Sequence, residues 1–443
     1  MQIQNVWVSQ IQDKKISPVF ADLLIKNGKI ESLIPKDFKS YLKNTDKTGS
    51  GKNTLDAGGR VLTIPNVNFH EHFYSRLAKG LSINGPTDNF TEILKNLWWK
   101  LDLALDEQMV KASVLMGAME SIYNGVTYTF DHHASPNFTK GSLDVIAETV
   151  KSMGMRSVLC FETSDRNGPE LTSQALAEHR RFYESGLDHD IKMMLGLHAS
   201  FTLSDNTLKD AAALVNDLGL GIHIHLCEDE SDRTESLKRF NNLPARRLAK
   251  FKLMSPKGIL SHGIHLIKED YLIISGEGSA IAYNPDSNLN NGVGVPDFLN
   301  VPNEIPILSG TDGMHANPAR SLKQLFLFAR HQNNSFEESF NWFQKLFFDQ
   351  YKFIRQYFPD FTSLHPGERA DFVIWDYVPP AEISEQNFWG HYIYGILERP
   401  VHSVIQNGQP LLKNGRMMID NEDAINREIH QQGIRLAKSF KNM

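Results

Sequence analysis

The stretch Leu62-Thr-Ile-Pro-Asn-Val-Asn-Phe-His-Glu-His-Phe-Tyr-Ser75 decides how the chain is read. An apolar run leads into His70 and His72, and in a β-strand side chains alternate between two faces, so residues two apart point the same way. Both imidazoles then converge on one point. Imidazole is the commonest neutral metal ligand, and two at a strand end supply half of a four-coordinate divalent site. The weight of the pair depends on finding the missing ligands further along.

From about residue 60 to 335, short apolar runs alternate with longer helical segments, the pattern of repeated βα units and a parallel sheet. The candidate strands are 61–68, 126–131, 156–161, 191–197, 221–226, 258–260, 280–282 and 305–308. Eight such units predict an α/β fold closed as a (β/α)8 TIM barrel, with functional residues just past the strands at the C-terminal face. Nearer the ends, Asn27-Gly28, Asn407-Gly408 and Asn414-Gly415 each sit between apolar runs. Asn-Gly is the strongest short hairpin signal, because a type I′ turn needs two residues tolerant of positive φ. Both termini therefore read as antiparallel sheet, joined into one small composite β-sandwich domain. The polar stretch from Ser40 to Thr54 reads as an exposed loop within it. The expected division is 1–58 and 366–420 for the two parts of the sandwich, 59–365 for the metal-dependent hydrolase barrel and 421–443 for a C-terminal helix. The aromatic segment 336–358 has helical period and is expected to pack on the barrel.

Length and composition agree with this. A chain of 443 residues suits a large barrel with a small appended domain. With 41% hydrophobic and 22% charged residues and a net charge of −6, acidic and basic groups interspersed, nothing points to nucleic acid as a partner. The first residues carry neither a basic nor an apolar targeting region, and no run approaches the roughly 20 apolar residues of a membrane span, so the expected compartment is the cytoplasm and no membrane is expected as a partner. Cys160 and Cys227 fit reduced core thiols; a thiol nucleophile is the alternative.

The residues at the predicted strand ends concentrate chemistry. They are His70 and His72, then His132 and His133, Glu162, His198, His225 with Glu228, His262, Asn284 and Asp312. Single loop histidines are usually structural, but that does not put a polar or ionisable group after every strand. A divalent cation would take His70, His72, a third histidine and one carboxylate, leaving a position open for water. The third histidine is His223 or His225, which share a strand face; His225 is preferred as the nearer to the strand's C-terminal end, with His223 filling the barrel interior. Asp312 is the carboxylate, flanked by Gly310 and Gly313, which permit a tight turn and close backbone approach. Glu228, three residues past His225, can act as general acid and base, and His262 can orient water and stabilise developing charge.

Together, His-x-His after strand one, His225 with Glu228, His262, and Gly310-Thr-Asp-Gly313 resemble the amidohydrolase superfamily, in its branch of cytosine, guanine and adenosine-type deaminases. Asp131-His-His-Ala-Ser-Pro136, Cys160-Phe-Glu-Thr-Ser-Asp-Arg-Asn-Gly168 and Gly196-Leu-His-Ala-Ser-Phe-Thr-Leu-Ser204 resemble the SsnA-type aminohydrolases of that branch. The resemblance spans essentially the whole chain. It implies a distorted TIM barrel with a composite β-sandwich, one metal ion, usually zinc and sometimes iron, and hydrolysis of a non-peptide C–N bond with release of ammonia. Members with two metals carry a carboxylated lysine where this chain has His198, which implies a mononuclear site and a substrate-facing His198. At strand seven, Tyr283-Asn-Pro-Asp-Ser-Asn288 departs from the usual His-Asn/Cys-Pro-x-Ser-Asn, a change that concerns substrate contacts such as Asn284 and not the metal. Arg76, His132, His133, Glu162 and Arg166 are the other expected substrate contacts, against the alternative of salt bridges and hydrogen bonds between barrel loops. The expected function is deamination of a small purine-, pyrimidine- or pterin-like amine. The rival readings are a ring-opening cyclic amidase or dehalogenase on the same metal, and a non-catalytic scaffold barrel. The expected partner is a small-molecule substrate, and analogy to relatives implies a homodimer.

Overall fold

The structure, a computed structural model, describes residues 1–43, 53–298, 300–332 and 335–443. The chain divides into two compact units, one of Met1–Val67, Ser121–Thr127 and Ile354–Asp420, the other of Asn68–Glu120, Tyr128–Phe353 and Asn421–Met443.

The first unit is β-rich. Its strands run along one hydrogen-bonded path in the order Arg416–Met417, Gln409–Lys413, Val401–Gln406, Phe372–Trp375, Val61–Thr63, Gln2–Gln12, Lys15–Lys26 and Lys29–Pro35, with Thr54–Asp56 branching from Gln2–Gln12. Strands from both ends of the chain thus share one sheet and one apolar core, in which Ile3, Val8 and Leu23 pack with Phe372, Ile374 and Ile405. The three Asn-Gly pairs adopt positive φ at both positions, 51° and 73° at Asn27-Gly28 and at Asn407-Gly408, 53° and 73° at Asn414-Gly415. That is the backbone of the expected type I′ turns. Asp13-Lys14 makes a fourth such turn, φ 47° and 59°, without glycine. Of the expected loop from Ser40 to Thr54, Ser40–Lys43 belongs to the helix Phe38–Lys43 and Thr54 begins a strand. Asn53 lies in a turn, and residues 44–52 lie outside the described residues.

The second unit carries the barrel. The barrel strands, the first two of which begin with residues of the first unit, are Asn66–Glu71, Val126–His133, Arg156–Phe161, Ile191–Met193 continued by Leu195–Ala199, Ile222–Leu226, Ile259–His262, Ala280–Tyr283 and Ile307–Ser309. Neighbours follow one another in this order, with parallel pairing from the second strand to the first piece of the fourth and from its second piece to the eighth. The ring closes through a parallel bridge between Glu71 and Asp312, where the Thr311 and Asp312 N–H groups donate to the His70 carbonyl at 3.0 and 2.9 Å. The expected strand 61–68 is corrected by this arrangement. Pro65 has no N–H to contribute to a ladder, and around Ile64-Pro65 the chain leaves the terminal sheet and begins the barrel at Asn66.

The fourth strand breaks at Met194, its first piece on the third strand and its second on the fifth. His179, on the helix Pro169–Glu184, holds this seam. Its Nε2 accepts from the Phe161 N–H at 3.2 Å and the Gly196 N–H at 3.0 Å, while its Nδ1 donates to the Ala175 carbonyl at 2.8 Å. Side-chain alternation on the first strand sends Asn68 and His70 inward and Phe69 outward, where Phe69 meets Phe353 of the helix Phe336–Tyr357 at 5.9 Å between ring centroids. A further helix, Glu422–Lys441, ends the chain. Among the described residues no helix is long and apolar enough to cross a membrane.

Candidate active site

The C-terminal ends of the barrel strands gather imidazoles around one point. His72 Nδ1 donates to the His132 carbonyl at 2.6 Å and His225 Nδ1 to the His198 carbonyl at 3.0 Å. A carbonyl only accepts, so each ring carries its proton on Nδ1 and turns the Nε2 lone pair inward. His70 Nδ1 is engaged by His223 Nε2 at 2.9 Å, and its fully buried Nε2 has no hydrogen-bond partner among the described residues. The three Nε2 atoms converge. His72 and His225 face each other at 3.3 Å, and Asp312 Oδ1 lies 2.9 Å from His72 Nε2 and 3.7 Å from His70 Nε2. The ligand atoms of His70, His72 and His225 all lie within 4.8 Å of one another, as do those of His70, His262 and Asp312.

Inward lone pairs beside a buried carboxylate call for a cation between them. Burial opposes charge on His72, yet the hydrogen bond to Asp312 and its negative charge lift this imidazole to about 9. Burial, reinforced by the neighbouring rings, holds His70 and His225 well below the ordinary histidine value. Neutral imidazole is what ligation needs, and His72, charged beside Asp312 on its own, becomes neutral when a cation replaces its Nε2 proton. The donor set thus fits a divalent metal. His223 stands behind it, its Nε2 engaged by His70 Nδ1 and by Ser261 Oγ at 3.2 Å.

Asp312 is fixed from its own side. Gly313 N–H donates to Oδ1 at 2.8 Å and Ser287 Oγ to Oδ2 at 2.5 Å, and the Asp312 backbone itself holds φ 55°. Burial works against its ionisation, but the hydrogen bond and charge of His72 hold the carboxyl well below the usual range. Gly310 is needed for proximity: a Cβ there would stand 2.6 Å from His70 Cβ and 2.4 Å from Asn284 Oδ1.

His262 has the opposite polarity from the three converging rings. The amide nitrogens of Asn288 and Asn284 face its Nδ1 at 2.9 and 3.4 Å, so Nδ1 accepts and Nε2–H points inward, 3.4 Å from Glu228 Oε2 and 3.9 Å from Asp312 Oδ2. Burial lowers its pKa to about 4, keeping it a neutral donor. Glu228 accepts from Asn291 Nδ2 at 3.2 Å. Burial first, and then the Asp312 charge, push its carboxyl well above the usual range.

A cleft of about 670 Å³, mouth included, opens over this cluster, the size of a small-molecule site. Of the residues expected to contact substrate, Glu162, Arg166 and His198 line it. Four others do not, and are corrected here. Arg76 is fully buried, ion-paired with Glu71, and donates to the carbonyls of Gly313 at 3.1 Å and His315 at 2.8 Å, clamping the loop that carries Asp312. Asn284 backs His262. His132 Nε2 donates to the Leu197 carbonyl at 3.0 Å inside the barrel, and His133 Nε2 meets Ser135 Oγ at 2.7 Å. Tyr283 is fully buried against Phe298 at 5.7 Å. Both cysteines are buried and free, their thiols raised well above the ordinary value by burial, which fits core thiols and not nucleophiles.

Reading by strand ends missed one wall of the cleft, Tyr74, Phe90, Leu94, Trp98, Trp99 and Asp102, supplied by the segment after the first strand, and also Phe201, Asp229, Asp232 and Asn291. The spacing of Phe90, Leu94 and Trp98, four apart, marks one face of a helix and was the available signal. That segment opens with Asn89, whose side chain caps Phe90–Ile93 by accepting from the Glu92 N–H at 3.0 Å.

Comparison with known proteins agrees with this geometry. The chain is 28% identical over 319 residues to a 5-methylthioadenosine/S-adenosylhomocysteine deaminase of Thermococcus onnurineus, covering 71% of this chain and 70% of that protein. It is 27% identical over 429 residues to a 5′-deoxyadenosine deaminase of Methanococcus aeolicus, covering 94% and 95%. The structure of an adenosine deaminase from Xanthomonas campestris with bound zinc superposes at a TM-score of 0.82, with 17% identity over 99% of this chain and 98% of that one, and so shares the fold. The model of the amidohydrolase family matches residues 64–411, a span that holds every residue of the converging cluster, and the chain belongs to that family.

Proposed function

We propose that the chain is a mononuclear, zinc-dependent aminohydrolase that deaminates a small heterocyclic amine of the adenosine type. The observation that carries this is the division of polarity around one point: three inward lone pairs and a carboxylate from His70, His72, His225 and Asp312, faced by an N–H from His262 and a protonated carboxyl from Glu228. The first four residues would hold the ion. When bound, it supplies Lewis acidity, which brings the pKa of water into the neutral range.

The rest is done by the side chains. Asp312 Oδ2, held by Ser287, is the base toward the attacking water. Glu228, uncharged in its buried position, delivers its proton to the ring nitrogen beside the amino-bearing carbon, so that the carbon's π-electrons move to that nitrogen as the C–O bond forms. His262 donates its Nε2–H to the oxygen as negative charge develops there, held in that orientation by Asn288 and Asn284. Asp312 then passes the proton it took from water to the amine, the hydroxyl proton returns to Glu228, and as the oxygen's electron pair closes the carbonyl the C–N bond breaks and ammonia leaves.

Ammonia release from 5′-deoxyadenosine, adenosine, guanine and cytosine, with bound metal measured on the same sample, tests the reading. We expect stoichiometric ammonia from at least one of these, and a fall of about 10²–10⁴-fold in kcat for Glu228→Gln with the metal retained. Turnover that adds one water to the product without releasing ammonia would establish ring opening instead.

A further inference from the structure

Arg166 is the one permanent cation among the described residues that line the cleft. It is already engaged. Its Nη2 lies 2.5 Å from Glu162 Oε1 and 3.1 Å from Asp102 Oδ2, and the guanidinium stands 5.1 Å from the Trp99 ring. The three side chains are 10%, 4% and 3% exposed, so the cluster is desolvated as well as paired. Asp102 Oδ1 and Arg166 Nε, both buried at the cleft wall, have no hydrogen-bond partner among the described residues. The other carboxylates of the lining add no counter-cation: Asp229 accepts from the Ser231 N–H at 2.9 Å, and Asp232 from the Cys227 N–H at 2.8 Å.

A phosphate or carboxylate entering this space would meet a guanidinium already neutralised by two carboxylates: sharing Arg166 sets a third anion beside them, and taking it leaves a buried carboxylate unpaired. Like charges brought together in a desolvated site cost several kcal/mol, and breaking a buried pair is costly in its own right. An uncharged polar group meets no such conflict, and Asp102 Oδ1 offers it a partner. We propose, on the basis of the deaminase reading above, that Asp102, Arg166 and Glu162 form a charge-paired triad that makes the site specific for heterocyclic amines bearing no anionic group. Selectivity here comes from refusal as much as from attraction.

The test uses zinc-loaded protein and two matched pairs, adenosine with adenosine 5′-monophosphate and cytidine with cytidine 5′-monophosphate. Ammonia release is followed together with the ligand-induced shift in Tm, which reads binding without turnover. We expect a nucleoside to bind and react, and its monophosphate to fall at least 100-fold lower in kcat/KM. Two variants should move the discrimination in opposite directions. Asp102→Asn with Glu162→Gln frees the guanidinium and narrows the ratio at least tenfold, whereas Arg166→Gln widens it. The proposal is overturned if the monophosphates match the nucleosides, if no nucleoside binds, or if the paired substitution leaves the ratio unmoved. Nucleoside-selective Tm shifts without ammonia would keep the charge selection and discard the deaminase reading.

Discussion

His70, His72 and His225 differ from His262 in whether the inward Nε2 offers a lone pair or an N–H, and that difference sorts ligand from donor without reference to position in the chain. The first two strand-end histidines were legible because they stand one residue apart in a strand; the choice between His223 and His225 was not, since both lie on one face. What separates them is the use of Nε2: His225 gives its Nδ1 to a carbonyl and keeps Nε2 for the site, whereas the Nε2 of His223 is taken up by the His70 ring and Ser261. Replacing His70 or His225 by Asn is expected to remove the metal, measured by elemental mass spectrometry, whereas His262→Gln should keep the metal and lose turnover. Arg76 shows the opposite lesson. A cation four residues past the His-x-His pair was read as a substrate contact, but the fully buried side chain serves Glu71 and two backbone carbonyls. Arg76→Met is expected to cost about 3–5 kcal/mol, because Glu71 is left buried and unpaired. Urea denaturation would show it, and Glu71→Gln in the same chain should recover part of the loss.

Strands and hairpins were readable wherever a local rule governs them. Asn-Gly turns demand positive φ and have it, and the apolar runs separated by helices became barrel strands within a few residues of their expected bounds. Exceptions arose where tertiary contacts decide. Pro65 divided one expected strand between two sheets, and the aromatic segment 90–99 became a cleft wall because of where the barrel places it, which its spacing alone does not encode. Two glycines at element ends separate these kinds of constraint experimentally. Gly415 carries φ 73° with open space around it, so Gly415→Ala should cost about 1–2 kcal/mol through backbone conformation alone and leave metal binding intact. At Gly310 a Cβ meets the His70 Cβ at 2.6 Å and the His70 nitrogen at 2.8 Å, backbone that cannot rotate aside. Gly310→Ala is expected to cost about 1–3 kcal/mol by overpacking and to weaken the metal as well, since it pushes His70 from Asp312. Equal metal content in the two variants would show that closure of the ring at this point does not set the ligand geometry.

For the molecule as a whole, the concentration of buried neutral histidines ties folding to pH. Burial lowers His133 to about 3 and His179 to about 4, and holds His132 and His223 well below the ordinary value. A histidine whose pKa is depressed on folding binds fewer protons in the native state than in the unfolded chain, so its contribution is complete above the unfolded value of about 6.5 and is lost as pH falls toward the folded value. Each such group steepens the loss by about 1.4 kcal/mol per pH unit within its window. His179 isolates one of them, because it lies at the seam between the third and fourth strands and neither lines the cleft nor ranks among the proposed ligands. Its Nε2 must stay unprotonated to accept from Phe161 and Gly196. The barrel is therefore expected to lose stability steadily from about pH 6.5 downward in denaturant titrations of the metal-free protein. His179→Gln should lower stability at pH 7.5, where two backbone donors lose their partner, and should flatten the slope between pH 6.5 and 4 by close to one proton. An unchanged slope would mean that His179 is protonated in the folded chain, and that the hydrogen bonds across the seam do not require its neutral form.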